Sequence, residues 1–149
     1  MSESGDARRA GRIGYVPWVF DMFHIGHLNI LRRARDHCDH LIAGVVSDEK
    51  AVAAKGIPPV VPLAERVEIL GTCRLVDDVI VESAPSKREV WEKLRFDVIF
   101  KGDDWRGTPK GVELEAAFGA VGVEVVYFPY TVSTSSTLLR DALRRLVAS

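Results

Sequence analysis

The stretch FDMFHIGH, residues 20–27, lies where a run of apolar residues gives way to the spacing of a helix. It contains two of the chain's four histidines. His24 and His27 are three residues apart, so a helix starting here would place both on one side of its first turn. The amino end of a helix attracts anions, and Gly26 would let a bulky anion approach the backbone. The stretch therefore predicts a phosphate-binding site with two imidazole donors.

Short apolar runs alternate with helical patterns along the rest of the chain. We predict strands over residues 13–20, 41–46, 76–81, 96–102 and 123–129, and helices over 27–37, 62–70, 87–94, 113–121 and from 136 onward. Pro17 is expected at the end of the first strand or at a bulge. Strands and helices that alternate in this way form right-handed crossovers. We therefore predict an α/β fold, a single Rossmann-like doubly wound domain with a mostly parallel five-stranded sheet.

Length and composition indicate one domain. We assign residues 13–149 to it and expect residues 1–12, which are small, polar and charged, to be a disordered lead-in. The net charge of −1 gives no sign of a nucleic-acid surface. No apolar run is long enough to cross a bilayer and the amino terminus lacks a signal-peptide pattern, so we expect no membrane insertion and a cytoplasmic location.

Ligands of doubly wound sheets bind at the carboxyl ends of the strands, and four further polar segments are expected near that edge. Lys55 begins the proline-rich loop KGIPPVVP, and RLVDDV contains Arg74 and Asp77. KGDDW places two adjacent carboxylates after a buried strand, where they suit Mg²⁺ or recognition of base and ribose. TVSTSSTLL, residues 131–139, has more hydroxyls than one helix cap needs and could also bind phosphates.

These motifs carry a resemblance to a known family. VFDMFHIGHLNILRRA resembles the signature of the HxGH nucleotidyltransferases, the superfamily that includes cytidylyltransferases and class I aminoacyl-tRNA synthetases. FKGDDWRG and STSSTLLR are similar to two later segments of the small bacterial glycerol-3-phosphate cytidylyltransferases. The similarity runs from about residue 13 to residue 146. Three motifs in the right order make the cytidylyltransferase family the expected one.

The resemblance implies transfer of CMP from CTP to a small phosphomonoester, with release of pyrophosphate. Glycerol 3-phosphate is the expected acceptor, giving CDP-glycerol, and Mg²⁺ is expected to arrive with CTP rather than in a protein metal site. A homodimer is also implied. The catalytic residues implied by the match are His24, His27 and Lys55. The implied nucleotide-binding residues are Val19, Phe20, Asp21, Gly26, Gly102, Asp103, Ser135, Ser136 and Thr137. Arg74 and Asp77 are the implied acceptor-binding residues.

Two departures from the family pattern leave the acceptor open. Pro17 and Trp18 stand where small residues are usual before the motif, and Tyr130 stands where the glycerol-phosphate enzymes have an arginine. The acceptor could therefore be ethanolamine phosphate, another polyol or sugar phosphate, or a phosphonate, or Arg140 could replace the missing base. The nucleotide could be ATP in place of CTP, and the chain could also be a non-catalytic nucleotide-binding module.

Overall fold

A computed structural model of the protein describes residues 11–130 and 134–148. Residues 1–10 of the expected lead-in and residues 131–133 of the hydroxyl-rich segment lie outside the described residues. Five strands form one sheet in which every pair is parallel: β1 (Ile13–Trp18), β2 (His40–Val46), β3 (Asp78–Glu82), β4 (Val98–Gly102) and β5 (Glu124–Phe128). Their order is β3-β2-β1-β4-β5. The Rossmann-like doubly wound fold is confirmed.

Six α-helices connect or follow the strands within the described residues. They are α1 (Ile25–Arg35), α2 (Asp48–Lys55), α3 (Leu63–Gly71), α4 (Lys87–Leu94), α5 (Pro109–Gly119) and α6 (Ser136–Ala148), with a 3₁₀ turn at Asp103–Trp105. None of the helices described is long and apolar enough to cross a membrane.

The sheet separates two apolar clusters because successive strand residues point to opposite faces. On one face, Val16 and Phe100 pack with Leu31 of α1 and Leu70 of α3. On the other face, Tyr15, Ile99 and neighbouring strand residues pack with α4 and α5, through side chains that include Val90, Leu114 and Phe118. Burial on both faces explains why the strands are nearly continuous apolar runs in the sequence.

Helix α2 was not predicted. Its sequence, DEKAVAAK, buries only Ala51, so it lacks the apolar stripe by which helices are recognised. Its ends are nevertheless marked. The Ser47 hydroxyl accepts a hydrogen bond from the N–H of Lys50, and Gly56 ends the helix with φ 82°. The placement of Lys55 in a loop was therefore wrong, since it is the last residue of α2.

Pro17 lies inside β1 rather than at its end or at a bulge, which corrects that expectation. Its Cα pairs with Gly44 of β2, while pairing with β4 is recorded only at Gly14 and Tyr15. The missing N–H of Pro17 therefore costs no hydrogen bond to β4. Strand order also reverses between β1 and β4, and ligands of doubly wound sheets bind at such a point.

Candidate active site

The loop after β1 turns sharply around Asp21. Phe20 and Met22 on either side of it have φ of 56° and 52°, in the left-handed region that non-glycine residues rarely adopt. The Asp21 carboxylate, 1% exposed, accepts hydrogen bonds from the N–H of Val60 at 2.8 Å and of Val61 at 2.9 Å. Asp21 thus holds the loop before α3 against the loop before α1.

His24 and His27 both bind backbone through Nδ1. The N–H of Gly26 donates to Nδ1 of His24 at 3.0 Å, so His24 caps α1, and the N–H of His24 donates to Nδ1 of His27 at 3.2 Å. A nitrogen that accepts a hydrogen bond carries no proton, so a neutral ring must carry its proton on Nε2. Each ring therefore offers one N–H for a ligand.

Burial keeps both rings neutral in the free protein. It lowers the pKa of His24, and it lowers the pKa of His27 to about 3, with smaller contributions from His24 and Lys55. His27 is 4% exposed and packs against the rings of Phe20 and Phe23. A bound polyphosphate would bring negative charge to a site that otherwise disfavours an imidazolium.

A cavity of about 340 Å³ opens in front of these rings. The structure brings most of the predicted site residues to its wall: Val19, Phe20, Asp21, His24, Gly26, His27, Lys55, Ser135, Ser136 and Thr137. The wall also includes residues that the sequence did not assign, among them Trp18, Arg33, Asp104, Tyr130 and Arg140. The volume is in the range of pockets for small ligands.

The start of α6 closes one side of this cavity. The Ser136 hydroxyl donates to the backbone oxygen of Asp21 at 2.6 Å and lies 3.4 Å from Nε2 of His24. Ser135 caps the helix by accepting from the N–H of Leu138. The hydroxyl-rich segment therefore has both expected features, a cap and a position beside the imidazoles.

Arg140 of α6 brings an incompletely paired cation to the cavity. Its Nη2 lies 3.6 Å from Oδ2 of Asp21, and its buried Nε has no hydrogen-bond partner. A buried donor without a partner costs about 1–3 kcal/mol, so this site is completed when an acceptor binds there.

The segment KGDDW is arranged differently from the prediction. Gly102 is buried at the end of β4, and a Cβ there would run into the side chains of Tyr130 and Asp104. Asp104, whose Oδ1 is 3.3 Å from the Tyr130 hydroxyl, lines the cavity, whereas Asp103 is exposed and does not. Among the described residues, no three His, Cys, Asp or Glu side chains converge as a metal cage requires.

Arg74 and Asp77 are not brought to this cavity, contrary to the role proposed from the resemblance. Arg74 is exposed, and Asp77 precedes β3 at the amino edge of the sheet, opposite the carboxyl edge that carries the cavity. Asp77 forms an ion pair with Arg35 and accepts a hydrogen bond from the N–H of Leu41. Its contacts are structural, so we leave both residues out of the proposed site.

Arg66 supports the site from behind, and sequence reasoning missed it. It is 1% exposed, and its guanidinium donates to the carbonyl oxygens of Val19, Val46 and Val61 at 2.7–2.8 Å. It also pairs with Asp48. These bonds join the ends of β1 and β2 to the loop before α3. No spacing in the sequence reveals them, because the partners are backbone atoms of distant segments.

Comparisons with known proteins agree with this architecture. The family model described as "Cytidylyltransferase-like" matches residues 16–142. The chain is 39% identical over 107 residues to an ethanolamine-phosphate cytidylyltransferase of Arabidopsis thaliana, covering 68% of this chain and 25% of that protein. It is 33% identical over 132 residues to an FAD synthase of Pyrococcus abyssi, covering 88% and 89%. It is also 32% identical over 135 residues to the bifunctional protein HldE of Hyphomonas neptunium, covering 89% and 27%.

The chain thus spans about a quarter of the Arabidopsis and Hyphomonas proteins and most of the FAD synthase. Among solved structures, the lipopolysaccharide core biosynthesis protein of Thermoplasma volcanium is similar with a TM-score of 0.70 and 21% identity, covering 83% of this chain and 99% of that one. That likeness concerns the fold alone. A special closeness to glycerol-3-phosphate cytidylyltransferases stays a prediction. The chain belongs to the cytidylyltransferase-like family of nucleotidyltransferases.

Proposed function

We propose that the protein is an enzyme that transfers CMP from CTP to a small phosphomonoester. An oxygen of the acceptor's phosphate forms a bond to the α-phosphorus of CTP, and the bond from that phosphorus to the bridging oxygen breaks. Pyrophosphate leaves with the electron pair. The attacking phosphate needs no base at neutral pH, so the protein's task is to position the two substrates and to stabilise charge.

The observation that carries the proposal is the shared arrangement of His24 and His27. The backbone engages Nδ1 of both rings and leaves Nε2–H for a ligand, at the amino end of α1 and on the wall of one cavity. Donors fixed before the reaction begins stabilise the charge that grows on transferring phosphates without a cost of reorganisation. In this proposal His27 donates to the α-phosphate, and His24 donates to the β- and γ-phosphates.

The surrounding cations would neutralise the triphosphate. Arg140 has a buried Nε without a partner, and Lys55 lines the same cavity at the end of α2. The amino ends of α1 and α6 add partial positive charge on two sides. We propose that Mg²⁺ enters with CTP, held by phosphate oxygens and water, and that it neutralises part of the charge of the triphosphate.

The acceptor is the least determined part of the proposal. Glycerol 3-phosphate comes first because of the motif resemblance, and ethanolamine phosphate comes next because a relative is named for it. ATP is the second nucleotide to examine, since other relatives are named FAD synthase and FAD contains an adenine nucleotide. The homodimer and the cytoplasmic location remain predictions from the sequence.

The experiment is a pyrophosphate-release assay with CTP or ATP, Mg²⁺ and a panel of phosphomonoesters. We expect release only when an acceptor is present, and a nucleotide-linked product of the corresponding mass. A reaction without acceptor measures simple hydrolysis, and the His27→Gln variant controls for contaminating enzymes. Tight nucleotide binding without release for any acceptor would contradict the proposal and favour a non-catalytic nucleotide-binding module.

A further inference from the structure

Lys101 lies at the point where strand order reverses, outside the set of residues that line the cavity. It belongs to β4, and its Nζ lies 4.0 Å from the ring centroid of Trp105 and 5.4 Å from that of Trp18 at the end of β1. Within residues 11–130 and 134–148, the ammonium group makes no hydrogen bond and no ion pair. Two indole faces are therefore the contacts that hold this cation in place.

The nearby carboxylate is already occupied. Glu82, which is fully buried, accepts hydrogen bonds on Oε2 from Lys50 and Lys87, each at 2.8 Å, and on Oε1 from the Tyr15 hydroxyl at 2.6 Å. Three lysines and one carboxylate thus meet at the carboxyl ends of neighbouring strands. The group carries excess positive charge, and Lys101 is the lysine without an anion.

The protonation of Lys101 agrees with this imbalance. Burial lowers its pKa to about 7, and the positive charge of Lys87 contributes. Lys50 acts in the same direction, while Glu82 and Asp104 raise the pKa. An anion placed against Nζ would restore the ammonium form, so binding would be strongest for a group with two negative charges.

We propose that Lys101 binds the phosphate group of the acceptor substrate and so helps to determine which acceptors the enzyme accepts. This inference rests on the proposed function. A lysine ammonium is a common phosphate ligand in proteins. Trp18 and Asp104, which lie beside Lys101, line the cavity that we assign to the nucleotide, so a phosphate on Lys101 would lie next to it.

This position also meets the geometric demand of the reaction. In-line transfer requires the attacking oxygen to approach the α-phosphorus from the side opposite the leaving pyrophosphate. The α1 and α6 helix ends hold the leaving phosphates in the proposed function. Lys101 lies on β4, across the strand-order reversal from the loop that follows β1, and would hold the attacking phosphate there.

A direct test follows the lysine side chains by NMR at constant pH. The chain has six lysines, so the Cε–Hε signals of ¹³C-lysine-labelled protein are few, and the Lys101→Met variant identifies the one of interest. Glycerol 3-phosphate, phosphoethanolamine and inorganic phosphate are the probes. Lys110→Met is the matched control, because exposed Lys110 lies 5.8 Å from the same Trp105 ring.

We expect at least one probe to shift the Lys101 signal, and Lys101→Met to weaken its binding at least tenfold while Lys110→Met changes it less than twofold. An unmoved Lys101 signal with every probe, or equal binding by Lys101→Met and wild type, would overturn the inference. If Lys101→Met fails to fold, the wild-type signal still decides, assigned through the remaining five lysines.

Kinetics separates this inference from the proposed function. With an active enzyme, Lys101→Met should raise KM for the acceptor at least tenfold and leave KM for CTP within twofold. An active enzyme whose acceptor KM is unchanged by the substitution refutes the role of Lys101 alone. A shift of the Lys101 signal without pyrophosphate release from any acceptor refutes the proposed function and retains the phosphate site.

Discussion

The backbone N–H of His24 donates a hydrogen bond to Nδ1 of His27 at 3.2 Å. Together with the bond from Gly26 to His24, it forms a reciprocal cap at the start of α1. The same bond sets the tautomer of His27, because an accepting Nδ1 leaves the proton on Nε2. One local interaction therefore begins the helix and orients the donor for the phosphate.

His27→Gln should separate these two roles. A glutamine at the third helical position can accept the hydrogen bond of the cap residue, so the cap is retained, but it lacks the imidazole N–H. We expect kcat/KM to fall about 10²–10³-fold, the loss typical of one preorganised donor. His27→Ala should lose the cap as well and be less stable by about 1 kcal/mol or more. Rates and urea unfolding of both variants measure this, and a fully active His27→Gln enzyme would contradict the role of Nε2.

The low pKa of His27 predicts a dependence of stability on pH. The folded-state pKa is about 3 and an exposed histidine titrates near 6.5, so below that pH the unfolded chain binds the extra proton. The stabilising contribution is complete above pH 6.5 and decreases as the pH falls. Between pH 6.5 and 5 the wild type should lose about 2 kcal/mol through this residue. His27→Gln should lack that decrease when the two unfolding curves are compared, and parallel curves would refute it.

Asp21→Asn should loosen the loop before α3. Each carboxylate oxygen accepts one N–H, from Val60 or Val61, and an amide replaces one acceptor with a donor. A buried donor without an acceptor costs about 1–3 kcal/mol. We expect faster hydrogen exchange at these two amides and a higher KM for the nucleotide. Asp36→Asn, at an exposed position after α1, is the control, and unchanged exchange at Val60 would exclude this role.

Arg140→Gln should weaken nucleotide binding more than it weakens the fold. The substitution removes a cation beside the cavity whose Nε has no partner in the free protein, so little is lost on folding. We expect affinity for the triphosphate to fall about tenfold or more, since hydrogen bonds to charged groups contribute about 1.5–3 kcal/mol. Arg144→Gln, one turn further along α6 and exposed, is the matched control. Equal nucleotide affinity in the two variants would argue against the site.

The sequence predicted the parts that depend on local pattern. The strands are continuous apolar runs, and the histidine motif and the hydroxyl-rich segment each lie at the start of a helix, so the fold and one end of the cavity could be inferred. Helix α2 was missed because it has no apolar stripe. The preference for Asp103 over Asp104 followed a motif position, whereas the 3₁₀ turn decides which carboxylate faces the cavity.

Long-range partners account for the other differences. Arg66 and Lys101 each look like an ordinary cation in an element, and their environments come from other strands and loops. Asp77 was assigned by motif position to the acceptor, yet its contacts with Arg35 and Leu41 become visible only when β2 and β3 are aligned. Residues of this kind are determined by topology rather than by spacing.

The most direct test of the central claim is a long-range ¹H–¹⁵N NMR spectrum of the four histidine rings, recorded at neutral pH with and without CTP. We predict neutral rings with the proton on Nε2 for His24 and His27, and a shift of both Nε2–H signals on addition of CTP. His37 and His40, near the amino edge of the sheet, should not respond. Protons on Nδ1 of His24 and His27, or rings unaffected by saturating nucleotide, would contradict the account.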